Sequence, residues 1–393
     1  LKNGFWAQTR DEELPNEGKT ITFLVRMEEV TDRVVPELNE KMGSDERRSK
    51  IRSLSESITT EATEGSHYEA RVRSMFNGNR FFLFVTETYR DVRLVGAPPE
   101  SIGKFGHDTD NWMWPRHTGD FSMFRVYTGP DGTPADYSPD NVPLKSKHYL
   151  PISLKGYEKG DFTMVMGFPG STDRYLTSWG IQELLEIEHP NRIKIRGIKQ
   201  DIQMEDMQAD EKVRIQYASK YSRSSNYWKY SIGQSRGLVN LDVLGKKQKI
   251  EEEFTAWVEQ DEERKALYGN ALKDIQEAVE GRKELANAQQ YLVECVFYGM
   301  ETVLFGRNLR ELEMALSDPE PEAGQISEIA DALKSYSADF YKDYNPPTDK
   351  KVMTAMVNLL IEELADEYLP SNILEVKTKY KGNAEKYVDK YLK

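Results

Sequence analysis

GDFSMFRVY (119–127) and LKGYEKGDFTMVMGFPG (154–170) decide the fold. In the first, an acid stands at the mouth of a run that alternates apolar and polar residues, the period of a half-buried strand. In the second, a loop and a Gly160-Asp161 turn lead into the apolar run FTMVMGF (162–168), which Pro169-Gly170 closes. A short apolar run ended by such a breaker is expected to be a buried strand. Outward from this pair the texture stays β-like. TITFLVRMEEV, in the 19–30 region, reads as a strand, and YEARVRSMFNGNRFFLFVTETYRDVRLVG reads as strands around an Asn77-Gly78 turn, a strong hairpin signal. TGPDGTPAD, after the 121–127 run, is a turn cluster. A stretch rich in Glu, Lys and Ser near 34–63 interrupts the strands and predicts a helical interlude. From about Ser178 the pattern becomes helical. Ile326, Ile329, Leu333, Tyr336 and Phe340 fall on one face of an amphipathic helix, and Ile250, Phe254 and Trp257 repeat the spacing, as do Val296, Met300 and Val303. SDPEPEAG (317–324) and NPPTD (345–349) punctuate these helices.

Composition narrows the function. With 393 residues the chain is long enough for two or more cores. Its net charge of -13, with lysines and arginines dispersed, argues against nucleic acid or an anionic membrane surface, either of which needs a basic footprint. No apolar run approaches the roughly 20 residues that a membrane span requires. The single cysteine, Cys295 in LVECVFYGM, excludes a disulfide framework and a thiolate cluster, and reads as a buried small hydrophobe. The sequence opens on LKNGFWAQTR and closes on YVDKYLK, and is read as cut at both ends.

Few residues are candidates for chemistry. The five histidines, His67, His107, His117, His148 and His189, include no pair at helical metal-ligand spacing, so no metal is expected. All five read best as surface or structural residues. His117 lies three residues before Asp120, but a strand entering at Asp120 would point the two apart. Gly233-Gln234-Ser235-Arg236-Gly237 fits the G-x-S-x-G pattern of a nucleophile elbow. That motif needs a strand leading in and a helix leading out. NYWKYSI leads in here, within helical texture, so Ser235 is not expected to be a nucleophile. Asp120 is the stronger candidate. In chymotrypsin-like proteases the triad aspartate precedes such a strand, where a buried carboxylate holds the histidine Nδ1–H and stabilises the imidazolium as serine attacks.

VGAPPESIGKFGHDTDNWMWPRHTGDFSMFRVY (95–127), MGFPG (166–170) and KYSRSSNYWKYSIG (220–233) together closely resemble the bacterial dipeptidyl-peptidase 7 and dipeptidyl-peptidase 11 family of serine exopeptidases. The likeness is continuous over roughly Leu1 to Lys246 and looser beyond. It implies an α+β fold: part of a chymotrypsin-like β-barrel over 1–177, and a large inserted all-α cap domain over 178–393. It implies that Asp120 is the triad aspartate, and that Asn111, Trp112 and Asn226 hold the free N-terminus of a peptide substrate. An asparagine carbonyl can accept from an ammonium, and an indole can wall it by cation–π contact. Trp114 is expected to pack in the core. His107 departs from the family pattern, which usually has a small residue there.

The family's histidine motif should lie upstream of LKNGFWA and its serine motif downstream of the helices; neither is present. The chain is therefore expected to be an internal fragment, inactive alone, of an enzyme that releases dipeptides from free N-termini. The resemblance also implies a metal-free, cofactor-free, periplasmic or cell-surface protein that forms a homodimer. Two alternatives stand beside this reading: a non-catalytic peptide-binding protein, and an α/β hydrolase using Ser235.

Overall fold

The computed structural model describes residues 2–39, 41–164, 173–319 and 321–392. The chain forms two compact units, residues 1–164 and 165–393, and each is described by itself. The fold is α+β, with a curled half-barrel sheet in the first unit and helices throughout the described part of the second.

The strands of the first unit are β1 (Phe5–Trp6), β2 (Leu14–Pro15), β3 (Ile21–Glu29), β4 (Glu69–Met75), β5 (Arg80–Tyr89), β6 (Asp91–Ala97), β7 (Met123–Thr128) and β8 (Val142–Pro143). Pairing is antiparallel throughout. β5 lies between β3 and β4 in one sheet; in the other, β1 and β2 pair with β6, then β7 and β8 follow. β5 passes into β6 through Arg90 alone, so one run of chain serves both sheets. The Asn77-Gly78 hairpin forms as expected, with Met75 opposite Arg80 and positive φ at Phe76, Asn77 and Gly78. Across β1 and β6, Trp6 faces Gly96, where a Cβ would stand 2.3 Å from the indole; only glycine lets the ring lie there.

Along β5 the burial alternates: Phe81, Leu83 and Val85 point into a core closed by Val30, Val34 and Ile58. Ile58 belongs to α1 (Ser44–Thr63), whose Ile51 and Leu54 pack on the same cluster. The helical interlude is therefore shorter than the expected 34–63. Pro36 and Gly43 intervene, and residues 31–37 form only single turns before α1 begins. The expected buried strand at 162–168 is not borne out where it is described. Residues 162–164 carry no strand pairing, and Phe162 is 86% exposed, because no neighbouring strand takes their edges among the described residues. The rest of that run, with MGFPG (166–170), lies outside the described residues.

In the second unit, α2 (His189–Ala209) and α3 (Glu211–Asn240) are joined by Asp210, whose carboxylate caps α3 by accepting from the Lys212 N–H. α4 (Ala323–Lys342) presents the expected amphipathic face, though its members are only half-buried or, like Tyr336, exposed. Ile250 and Trp257 likewise remain exposed rather than entering a core. α5 (Pro346–Glu363) opens as NPPTD predicts, with Asn345 accepting from the Thr348 N–H and prolines in the first turn. Its Val352, Met353, Met356, Val357 and Leu360 form the stripe around which Ile195, Cys295, Ile373, Val376 and Tyr387 close the main core. Each such side chain contributes roughly 1.5–3 kcal/mol by leaving water. Cys295 is fully buried, and burial raises its thiol pKa, so it is an inert apolar residue as expected.

Candidate functional site

The connection from β6 to β7 carries three of the four residues singled out by the sequence. It is tied at its base: the Gly119 N–H donates to the Ile102 carbonyl at 3.0 Å, and the Thr118 hydroxyl to the Phe105 carbonyl at 3.1 Å. Phe121 meets the Trp6 ring at 6.2 Å, which anchors the far end of the loop to β1. Within it, His107–Asp110 make one helical turn that Asn111 terminates. His107 has φ 50, in the left-handed region that favours glycine and that histidine enters more readily than most residues.

Arg116 joins the candidates. Its Nη1 donates to Asn111 Oδ1 at 3.3 Å and its Nη2 to Asp120 Oδ2 at 3.4 Å. The sequence reading missed Arg116; a cation four residues before the key acid in WPRHTGD was the available signal. The ion pair is weak. The Asp120 side chain is 64% exposed, and pairs at such exposure are worth about 0–1 kcal/mol. The sequence reading placed a buried carboxylate here; in this chain it is open to solvent. Asp120 also precedes β7 by three residues rather than entering it, so strand geometry does not separate it from His117. His117 instead meets the edge of Phe105 at 6.4 Å, while Asp120 turns to Arg116. Trp112, at φ 62, is 69% exposed. Trp114 corrects the expectation of core packing: it is 90% exposed, because residues 111–122 form no regular structure that could cover it.

Asn226 lies in the second unit, half-buried on α3. The surrounding motif forms a polar seam with α2. Gln200 donates to the Ser224 hydroxyl, Trp228 Nε1 to the Ile193 carbonyl, Arg192 to the Ser231 hydroxyl, and His189 Nδ1 meets Ser235 Oγ. Positions rise along α3 as they fall along α2, so the two helices run antiparallel. The seam residues Ser224, Trp228, Ser231 and Ser235 recur at helical spacing, and Asn226 projects about 200° away from Ser224, off the seam. Beneath the seam, Glu294 is 2% exposed in side chain and accepts from Arg192 at 3.0 Å and from Arg196 at 2.7 Å. This buried acid was not visible in the sequence, because it acts across elements almost a hundred residues apart.

Ser235 sits within continuous helix, so no strained turn exposes it, and the nucleophile-elbow reading is set aside. Its partner His189 is buried, and burial lowers the imidazole pKa, leaving a neutral ring. Ser235→Ala is expected to lower stability by about 1 kcal/mol, one hydrogen bond's worth, and to leave the turnover of the complete enzyme unchanged. Denaturant midpoints and kcat check this; a large loss of kcat would restore the nucleophile role. Among the described residues no cluster of His, Cys, Asp and Glu could hold a metal ion, and no helix is long and apolar enough to cross a membrane.

The peptidase S46 family model matches residues 1–393. The chain is 41% identical over 392 residues to dipeptidyl-peptidase 7 of Porphyromonas gingivalis, covering 99% of this chain and 53% of that protein. It is 41% identical over 383 residues to the Asp/Glu-specific dipeptidyl-peptidase of Flavobacterium psychrophilum, covering 96% and 53%. The crystal structure of Porphyromonas endodontalis DPP11 in complex with dipeptide Arg-Glu superposes with a TM-score of 0.84 at 34% identity, over 99% of this chain and 56% of that one. The chain thus spans about half the length of the curated relatives it matches. Matched along its whole length by the family model, and in sequence and fold by these relatives, the chain belongs to the peptidase S46 family.

Proposed function

We propose that the chain is the aspartate-bearing portion of a serine dipeptidyl-peptidase that releases dipeptides from the free N-terminus of peptides. The observation that carries the reading is the shared guanidinium of Arg116. Asn111 and Asp120 each accept from it, so the amide and the carboxylate lie within roughly 9 Å of one another. Two extended residues span about 7 Å, so the loop is scaled to hold an α-amine at one end and serve chemistry two residues along. In this reading Asn111, Trp112 and Asn226 bind the substrate ammonium. Asp120 exchanges its weak pair with Arg116 for the Nδ1–H of a catalytic histidine, and a serine attacks the second peptide carbonyl. That histidine and serine are assigned to the part of the relatives' length that this chain does not span. Relatives named dipeptidyl-peptidase 7 and Asp/Glu-specific dipeptidyl-peptidase match at the same 41%, so the proposal covers the reaction and not the side chain preferred before the scissile bond. It extends to a periplasmic or cell-surface location and a homodimer, which cell fractionation and light scattering of the complete protein test.

The 393-residue chain alone is expected to leave a panel of fluorogenic dipeptidyl amides unhydrolysed, while the complete protein releases dipeptides from free-amine peptides. Activity of the isolated chain that survives further purification and is blocked by a serine-reactive phosphonate would overturn the division of the triad. Release of single residues by the complete protein, or cleavage inside acetylated peptides, would overturn the exopeptidase reading.

A further inference from the structure

A cavity of about 340 Å³ opens within the helical unit, between α2, α3, α4 and the chain that follows residue 293. Its size is at the lower end of the range that takes small organic ligands. Val293–Phe297 form a π-helical turn closed by the Tyr298 N–H on the Val293 carbonyl at 3.0 Å. Such wide turns are rare and gather at functional sites. This one brings Phe297 and Tyr298 to the cavity wall, where they are 40% and 58% exposed, and Tyr336 of α4 also lines it.

The cavity's charges are unevenly satisfied. Glu301 is paired with Lys220, Asp339 with Lys342, and Arg196 with buried Glu294. Lys199 and Arg223 are left over. Among the described residues neither is in an ion pair, and the Lys199 ammonium donates to the Tyr298 carbonyl. Lys199 is half-buried, and burial depresses its pKa, partly offset by the nearby carboxylates of Glu301, Asp349 and Glu294. Of the lining acids only Asp343, exposed at the rim, remains unmatched by a salt bridge. Two cations against one rim acid favour a single negative charge. A dianion would meet Asp343, Asp339 and Glu301 as well.

We infer that this cavity binds a small monocarboxylate with an aromatic body, its carboxylate on Lys199 and Arg223 and its ring against Phe297, Tyr298 and Tyr336. An entering carboxylate gives this ammonium an anionic partner beside the Tyr298 carbonyl it already donates to. The rings offer a face for stacking at little cost in conformational entropy, because the helices already hold them. The inference does not depend on the peptidase reading.

Titration of 3-phenylpropionate into the 393-residue chain, followed by calorimetry, tests it. Saturable binding is expected, at least tenfold tighter than for the primary amide or for 3-phenylpropylamine, which share the body and lack the charge. Lys199→Met and Arg223→Gln should each weaken it at least tenfold; Arg223 is exposed, so its variant tests the site without endangering the fold. Displacement of the probe by Gly-Gly-Phe with a free, but not an amidated, C-terminus would identify the ligand as a peptide chain end. Absence of displacement would identify it as a free small acid, and either supports the site. No saturable binding, equal binding of the amine, or unchanged affinity in both variants overturns it.

Discussion

Asp120→Asn in the complete enzyme is expected to lower kcat by about 10⁴. The triad carboxylate accepts from the histidine Nδ1–H and so fixes the tautomer whose Nε2 takes the serine proton. An amide at that position offers a donor as readily as an acceptor, and the wrong tautomer is then favoured. The structure adds a reason why this charge can be recruited. Asp120 is exposed and held by Arg116 at 3.4 Å, a contact weak enough to be replaced without large cost. A histidine closing over it would exchange that contact for a hydrogen bond in a drier setting, where the same charge acts more strongly. KM should change little, because the carboxylate does not touch the substrate. Steady-state kinetics on a fluorogenic dipeptidyl amide decide the matter. A variant within tenfold of wild type would move the triad role to Asp108 or Asp110, which stand in the turn before Asn111.

How much of this was legible beforehand depended on the range of the interactions. The Asn77-Gly78 hairpin, the NPPTD break between helices and the amphipathic spacing of α4 are local or periodic, and each was visible in a few residues of sequence. Burial across elements was not. Trp114 reads as core because tryptophan usually is, yet nothing in residues 111–122 covers it. The run at 162–168 reads as a buried strand, but at its described residues, 162–164, alternation and apolarity do not supply a partner strand. Arg116 was legible in principle, lying four residues from Asp120, whereas Glu294 with Arg192 and Arg196 was not, since the pairing spans α2 and a distant π-turn. The KYSRSSNYWKYSIG motif falls between these cases. Its serines and Trp228 repeat at helical spacing, which marks a seam, but only the structure shows that α2 occupies it and that Asn226 points elsewhere.

That orientation bears on the second large effect. Asn111→Ala in the complete enzyme is expected to lower kcat/KM for peptides with a free amine by roughly 10², equivalent to about 3 kcal/mol. An ammonium drawn from water must have its hydrogen bonds replaced, and one left unpaired costs several kilocalories. Asn111 Oδ1 accepts from Arg116 at 3.3 Å, and a carbonyl oxygen can accept two hydrogen bonds. Asn226 should behave in the same way when replaced by alanine, since its removal takes away an acceptor for the ammonium. N-acetylated peptides bring no charge to these amides and should be affected far less. The measurement is kcat/KM for matched free and acetylated peptides, in wild type, Asn111→Ala and Asn226→Ala. Equal losses for both peptide classes would mean that the two asparagines support the fold and do not recognise the amine.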